Sequence, residues 1–240
     1  MRMSPPALPR RAAAEFIGTA ALVAVVVGSG IRADSLSQDI GVRLIANAAA
    51  SALGLGLLIV LIGPLSGAHF NPVVTLSEWW SRRREGGGRD VLVYIAAQLA
   101  GAVTGALLAE AMFGRAPGVW STEPRTAPHL LLGEAVATAG LVLVVRGLGH
   151  IGRPGLAPVA VAGYIGAAIW FTSSGSFANP AATLGRSLSD SFTGIAPASV
   201  PAFAAAQLLG MLLGMGLAGV LYGTDRAAGE PNAADARRTG

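Results

Sequence analysis

The chain has 240 residues, of which 52% are hydrophobic and only 12% charged, with a formal net charge of +4. A soluble globular domain carries about 25% charged residues; here the charges cluster between long apolar runs, which excludes a large water-soluble core and points to a membrane-embedded chain. The basic excess does not indicate nucleic acid, because the arginines sit in short clusters beside apolar runs, and the absence of cysteine excludes disulfides, thiolate metal sites and cysteine catalysis. Residues 1–10 are polar and Pro-rich and read as a disordered tail. Six apolar stretches follow, at about 12–30, 43–63, 91–113, 129–148, 155–174 and 199–222, each near the ~20 residues a spanning helix needs. The first follows Arg2, Arg10 and Arg11 as a signal peptide would, but a later segment repeats its pattern, so it belongs to the fold. Residues 11–222 read as one membrane-embedded domain, and 223–240 as a second disordered tail.

Arginines also mark the loops. Arg82, Arg83, Arg84 and Arg89 lie between the second and third stretches, Arg146, His150 and Arg153 between the fourth and fifth, and Arg226 after the sixth. These are alternate loops holding most of the basic residues, so both termini are expected in the cytoplasm of a multi-pass cell-membrane protein.

The two halves, about 12–113 and 129–222, match each other in three ordered landmarks. Glu15…Thr19 matches Glu134…Thr138, Ser66-Gly67…Asn71-Pro72 matches Ser174-Gly175…Asn179-Pro180, and Gln98…Gly101…Gly105 matches Gln207…Gly210…Gly214. Each half has three spans, an odd number, so the halves sit in opposite orientations. Such inverted repeats place the solute path at the repeat interface near the midplane.

The Asn-Pro pairs carry the local signal. Asn is a preferred N-cap and Pro is favoured at the first helical position. The runs after Asn71-Pro72 and Asn179-Pro180 are too short to span, so each reads as a half-helix dipping into the membrane. Irregular backbone at that depth is tolerated only where protein buries it or it lines a water-filled cavity. Two half-helices from opposed repeats bring their positive N-terminal ends together, with the Asn amides as donors. That arrangement suits a neutral oxygen-bearing solute and opposes cations and protons.

SGAHFNPVVTL at 66–76 resembles the signature of the aquaporin (major intrinsic protein) family and Ala178-Asn179-Pro180-Ala181 its second copy, and Glu15, Glu134 and the Gln-x-x-Gly segments at 98 and 207 match as well. The resemblance spans about residues 12–222. It implies an all-α membrane protein with six transmembrane helices and two half-helices, one pore per subunit, a homotetramer and no cofactor. The motif triplets are Asn71-Pro72-Val73 and Asn179-Pro180-Ala181, with Val73 where the family usually has Ala.

The resemblance also implies an outer constriction of four positions, which here fall on Ser51, Ala167, Ser176 and Ala182. The family usually has Arg at the last of these, and water-selective members place Phe and His at the first two. Four small uncharged residues imply a wide filter, passing water with polyols or neutral metalloid hydroxides such as arsenite. A strictly water-selective pore is the alternative. Arg186, one helical turn beyond Ala182, either lends charge near the mouth or pairs with Asp190 at i,i+4, and the spacing favours pairing.

Glu15 and Glu134 are carboxylates within spans and so candidate functional groups. As proton-relay groups they would make a coupled transporter, the rival of another class. The resemblance implies instead that they accept hydrogen bonds from the loops leading to the half-helices. His69 either lines the path, senses pH in the inner vestibule or fixes its loop. Glu110 is expected at the interface, and Trp79, Trp80, Trp120 and Trp170 near span ends as anchors. The Gly101/Gly105 and Gly210/Gly214 pairs permit close helix contact within the subunit. No Ser-His-Asp set, facing carboxylate pair or metal-ligand cluster points to an enzyme, and His69, His129 and His150 are a poor metal inventory.

Overall fold

The computed structural model describes residues 6–83 and 86–223. Its helices in chain order are α1 Leu8–Leu36, α2 Ile40–Ser66, α3 Pro72–Arg82, α4 Gly88–Met112, α5 Pro128–His150, α6 Ala157–Phe171, α7 Pro180–Arg186 and α8 Val200–Tyr222. Short 3-10 turns at Pro154–Leu156 and Pro197–Ser199 lead into α6 and α8. Six helical segments are long and apolar enough to cross a membrane, and α3 and α7 are the two short ones between them.

α1 packs on α4 and α2, α5 packs on α8 and α6, and α2 meets α6 across the repeat boundary. The α1–α4 and α5–α8 contacts are the most extensive, and paired glycines make them possible. A Cβ on Gly101 or Gly105 would collide with the carbonyl oxygens of Phe16 or Ala20 in α1. On Gly210 or Gly214 it would meet those of Ala135 and Ala139 in α5. Both G-x-x-x-G pairs therefore serve packing within the subunit. Large apolar side chains such as Leu53, Val159 and Val220 are exposed on the outer surface, as a bilayer-facing protein requires.

α1 is longer than its expected span, reaching back to Leu8 through Pro9, which sits at a position where its missing N–H is not needed. Leu8–Arg10 are thus helical rather than part of a disordered tail. The extension is held where Arg11 pairs with Asp90 of α4 at 2.6 Å. The remainder of both expected tails, residues 1–5 and those after Gly223, and also Arg84, lie outside the described residues. α6 ends at Phe171, earlier than expected, because Thr172 turns extended and starts the irregular approach to the second half-helix.

Glu110 is not interfacial. It is 1% exposed, pairs with Arg115 at 2.7 Å and accepts a hydrogen bond from Ser189 at 2.5 Å. It braces the loop that follows α7. Trp80, Trp120 and Trp170 are exposed, and the Trp79 indole donates to the Gly86 carbonyl.

Candidate transport path

Each half-helix is entered through backbone that L-residues rarely adopt. Ala68 and Phe70 have φ of 51° each, and Ser176 and Ala178 have 49° and 47°. Such conformations cost on the order of 1–3 kcal/mol each and persist only where the surroundings fix them. Two buried carboxylates do so. Glu15 accepts from the backbone N–H of His69 at 3.0 Å and of Phe70 at 2.7 Å, and from the Ser66 hydroxyl and the Gln98 amide. Glu134 accepts from the N–H of Phe177 and Ala178, both at 2.8 Å, and from the Gln207 amide. Gln98 and Gln207 each donate onward to a half-helix threonine, Thr75 and Thr183. Neither Glu15 nor Glu134 lines the central cavity. Both are loop-holding acceptors, and the coupled-transporter reading loses its relay.

The half-helices meet tip to tip. The Asn71 side chain accepts from Val73 N–H, and that of Asn179 from the N–H of Ala181 and Ala182, so each caps its own helix. Their amide nitrogens cross over, Asn71 donating to the Ala178 carbonyl at 2.7 Å and Asn179 to the Phe70 carbonyl at 2.8 Å. An amide has two N–H donors, so each Asn keeps one beyond this clasp. Pro72 and Pro180 open the helices, while Val73 and Ala181 are fully buried and face the core rather than the path.

A cavity of about 1240 Å³ runs past the clasp and is lined by both asparagines. On one side it reaches His69, Glu78 and Asp90; on the other it passes Ser51, Ser176 and Ala182 and reaches Arg186. The Ser51 and Ser176 hydroxyl oxygens are buried without a hydrogen-bond partner, although nearly every buried polar group in a folded protein has one. Facing a cavity, they are available to whatever fills it. His69 lines the cavity and also meets Thr75 through Nδ1 at 3.0 Å and packs edge-on against Tyr94.

Two expected site residues are placed differently. Ala167 is exposed on the α6 face that carries Val159 and Trp170, and does not line the cavity; Val161, Ile165 and Ile169, on another face, do. The Arg186–Asp190 pair does not form. α7 stops at Arg186, so Asp190 lies in the following loop, not one helical turn on. The Asp190 carboxylate accepts instead from the Thr122 N–H at 2.9 Å and hydroxyl at 3.0 Å, which hold it below the usual carboxylate range. Arg186 turns inward, donates from Nε to the Thr193 carbonyl at 2.5 Å and stacks on Phe177.

Asn47 and Phe177 line the cavity and were not singled out from sequence. Asn47 carried a usable signal, as an amide within an apolar span one turn from Ser51. Phe177 carried none, since an aromatic before a motif has no distinguishing pattern.

A tip-to-tip pair of capped half-helices, inside six spanning helices related as inverted repeats, defines a membrane channel for small uncharged solutes. The Major intrinsic protein model matches residues 3–173, and the chain belongs to that family. It is 46% identical to Aquaglyceroporin AqpS of Rhizobium meliloti (strain 1021) over 88% of this chain and 89% of that protein. It is 33% identical to the Probable aquaporin AqpM of Archaeoglobus fulgidus, covering 78% of this chain and 86% of the relative. The fold is that of the aquaglyceroporin from Plasmodium falciparum, with a TM-score of 0.66 at 22% identity over 88% of this chain and 95% of that one.

Proposed function

We propose that this chain is a passive channel of the cell membrane that conducts water together with polyols or neutral metalloid hydroxides such as arsenite. The observation that carries the reading is the asparagine clasp opening onto a continuous cavity in which Ser51, Ser176 and Ala182 present small side chains, beside Ile165, Ile169 and Phe177. A solute entering this stretch sheds water and needs replacement hydrogen bonds. The free N–H of each Asn donates to its oxygen, and the two unpartnered Ser hydroxyls donate or accept. A bare ion finds no counter-charge there: among the described residues no carboxylate lines the cavity outward of the clasp, and the charged lining group on that side is Arg186. Passive conduction follows from the same fact, because Glu15 and Glu134 are off the path and committed to backbone N–H groups.

The 46% identity to the Rhizobium aquaglyceroporin supports passage of solutes larger than water. Oligomerisation as a homotetramer is supported by the exposed apolar helix faces, of which a bundle of four would cover part. Stopped-flow light scattering of proteoliposomes under water, glycerol and urea gradients, with arsenite uptake alongside, tests the reading. Fast glycerol or arsenite entry, lost on Ala182→Arg, supports it. Water flux without solute entry overturns the solute assignment, and accumulation of solute against its gradient overturns the channel.

A further inference from the structure

Arg186 is 9% exposed and lines the cavity. Its Nε donates to the Thr193 carbonyl, and its guanidinium carbon stands 3.2 Å from the centre of the Phe177 ring, so both position and plane are fixed. A guanidinium has five N–H donors, and among the described residues the terminal nitrogens of Arg186 have no hydrogen-bond or ion-pair partner. They are left to the cavity.

Asn47 has the complementary arrangement. It is buried, lines the cavity and lies one turn outward of Ser51 on α2, as Arg186 lies one turn outward of Ala182 on α7. Its amide nitrogen donates to the Val26 carbonyl at 2.8 Å and the Ser29 hydroxyl at 2.9 Å. The Val26 carbonyl can only accept, which fixes the amide's orientation and leaves its oxygen as an acceptor. Both residues are tied to one turn of α1, Asn47 through Val26 and Ser29, Arg186 through Thr193, whose methyl group packs on Gly30. They therefore stand at a common depth. The cavity ends there: among the described residues none of 113–127 and none beyond Arg186 lines it.

We propose that the selectivity filter is displaced one helical turn outward, with Arg186 as the cationic donor and Asn47 as its companion acceptor, above the stretch of the cavity that Ser51, Ser176 and Ala182 line. The inference rests on the neutral-solute channel reading and refines it. Solutes that carry both hydroxyl donors and oxygen acceptors satisfy the two groups in turn, and cations meet an uncompensated guanidinium. The size limit is set by Arg186 rather than by the small residues one turn below.

The test compares water, glycerol, xylitol and potassium permeability in proteoliposomes of the wild type and four variants. Arg186→Ala raises the xylitol-to-glycerol ratio by roughly tenfold, the order of one charge-assisted hydrogen bond, and opens a potassium leak. Arg186→Lys keeps potassium out. Arg125→Ala is the structural control. Arg125 holds the same loop through the Gly194 carbonyl and faces the same Phe177 ring at 5.2 Å, but does not line the cavity, so both readouts stay at wild-type values. Asn47→Ala leaves Arg186 and its loop in place, so its raised xylitol ratio carries the test if Arg186→Ala does not fold. Wild-type solute flux with an unchanged ratio in the folded variants overturns the displaced filter alone and makes Arg186 a loop brace. Wild-type flux no faster than protein-free vesicles overturns the channel reading, and the filter with it.

Discussion

Glu134 shows how much one side chain can hold. Its two oxygens accept from two consecutive N–H groups in a segment where Ser176 and Ala178 take left-handed backbone. Truncation in Glu134→Ala leaves both N–H groups buried and unpaired, at about 1–3 kcal/mol each. Thermal unfolding in detergent should show a clear loss of stability, and solute flux should fall with it. Glu134→Gln keeps one acceptor oxygen and should lose less on both measures. A proton-coupled transporter behaves in the opposite way, with Gln folding normally and uncoupling flux from the proton gradient. In the cavity, Ser176 and Ala182 are small and Ser176 keeps a free hydroxyl. Ser176→Phe fills that space and should reduce glycerol permeability by tenfold or so while sparing water, which needs less room. Glycerol flux at the wild-type level in this variant would place the path away from Ser176.

At the scale of elements, the half-helices and their entry loops were legible because Asn-Pro is a local signal repeated in register with Glu and Gln partners. The faces of the spanning helices were harder. Counting along the chain put Ala167 at the filter, yet only the phase of α6 decides that Ile165 and Ile169 face inward and Ala167 outward. The Arg186–Asp190 spacing misled for a related reason: i,i+4 has meaning only while the helix lasts, and α7 has seven residues. Glu110 was misread because nothing local shows that a distant loop folds back to bury it. The glycine pairs fared better, since close helix contact requires them at that spacing. Gly214→Val pushes side-chain carbon into the Ala139 carbonyl of α5. Overpacking of this kind costs about 1–3 kcal/mol where neighbours can shift, and two backbones in contact shift little, so the variant should give a low yield of folded protein. The outer loop offers a pH test. Asp190 is held below the usual carboxylate range, first by the Thr122 N–H and then by its hydroxyl. Its folded form therefore favours the charged state. The contribution is present above the ordinary carboxylate range and lost as pH falls through the depressed value. Hydrogen exchange at the Thr122 amide should speed up under strong acid in the wild type, and Asp190→Asn should remove that step.

For the whole molecule the open physical question is which way it sits in the bilayer. Six spanning helices put both ends on the same side, and the arginine-rich stretches after α3 and α5 lead us to propose the cytoplasm for that side. The displaced filter, beyond the clasp on the far side, then faces outward and screens solutes before they reach the Asn pair. The chain has no cysteine, so single introduced thiols report on orientation without a background. Ser35, exposed at the end of α1, and Arg153, exposed in the α5–α6 loop, lie at opposite ends of the bundle. Ser35→Cys should react with a membrane-impermeant maleimide on intact cells. Arg153→Cys should react only after permeabilisation. The reverse pattern would turn the molecule over and make Arg186 and Asn47 the last groups an entering solute meets.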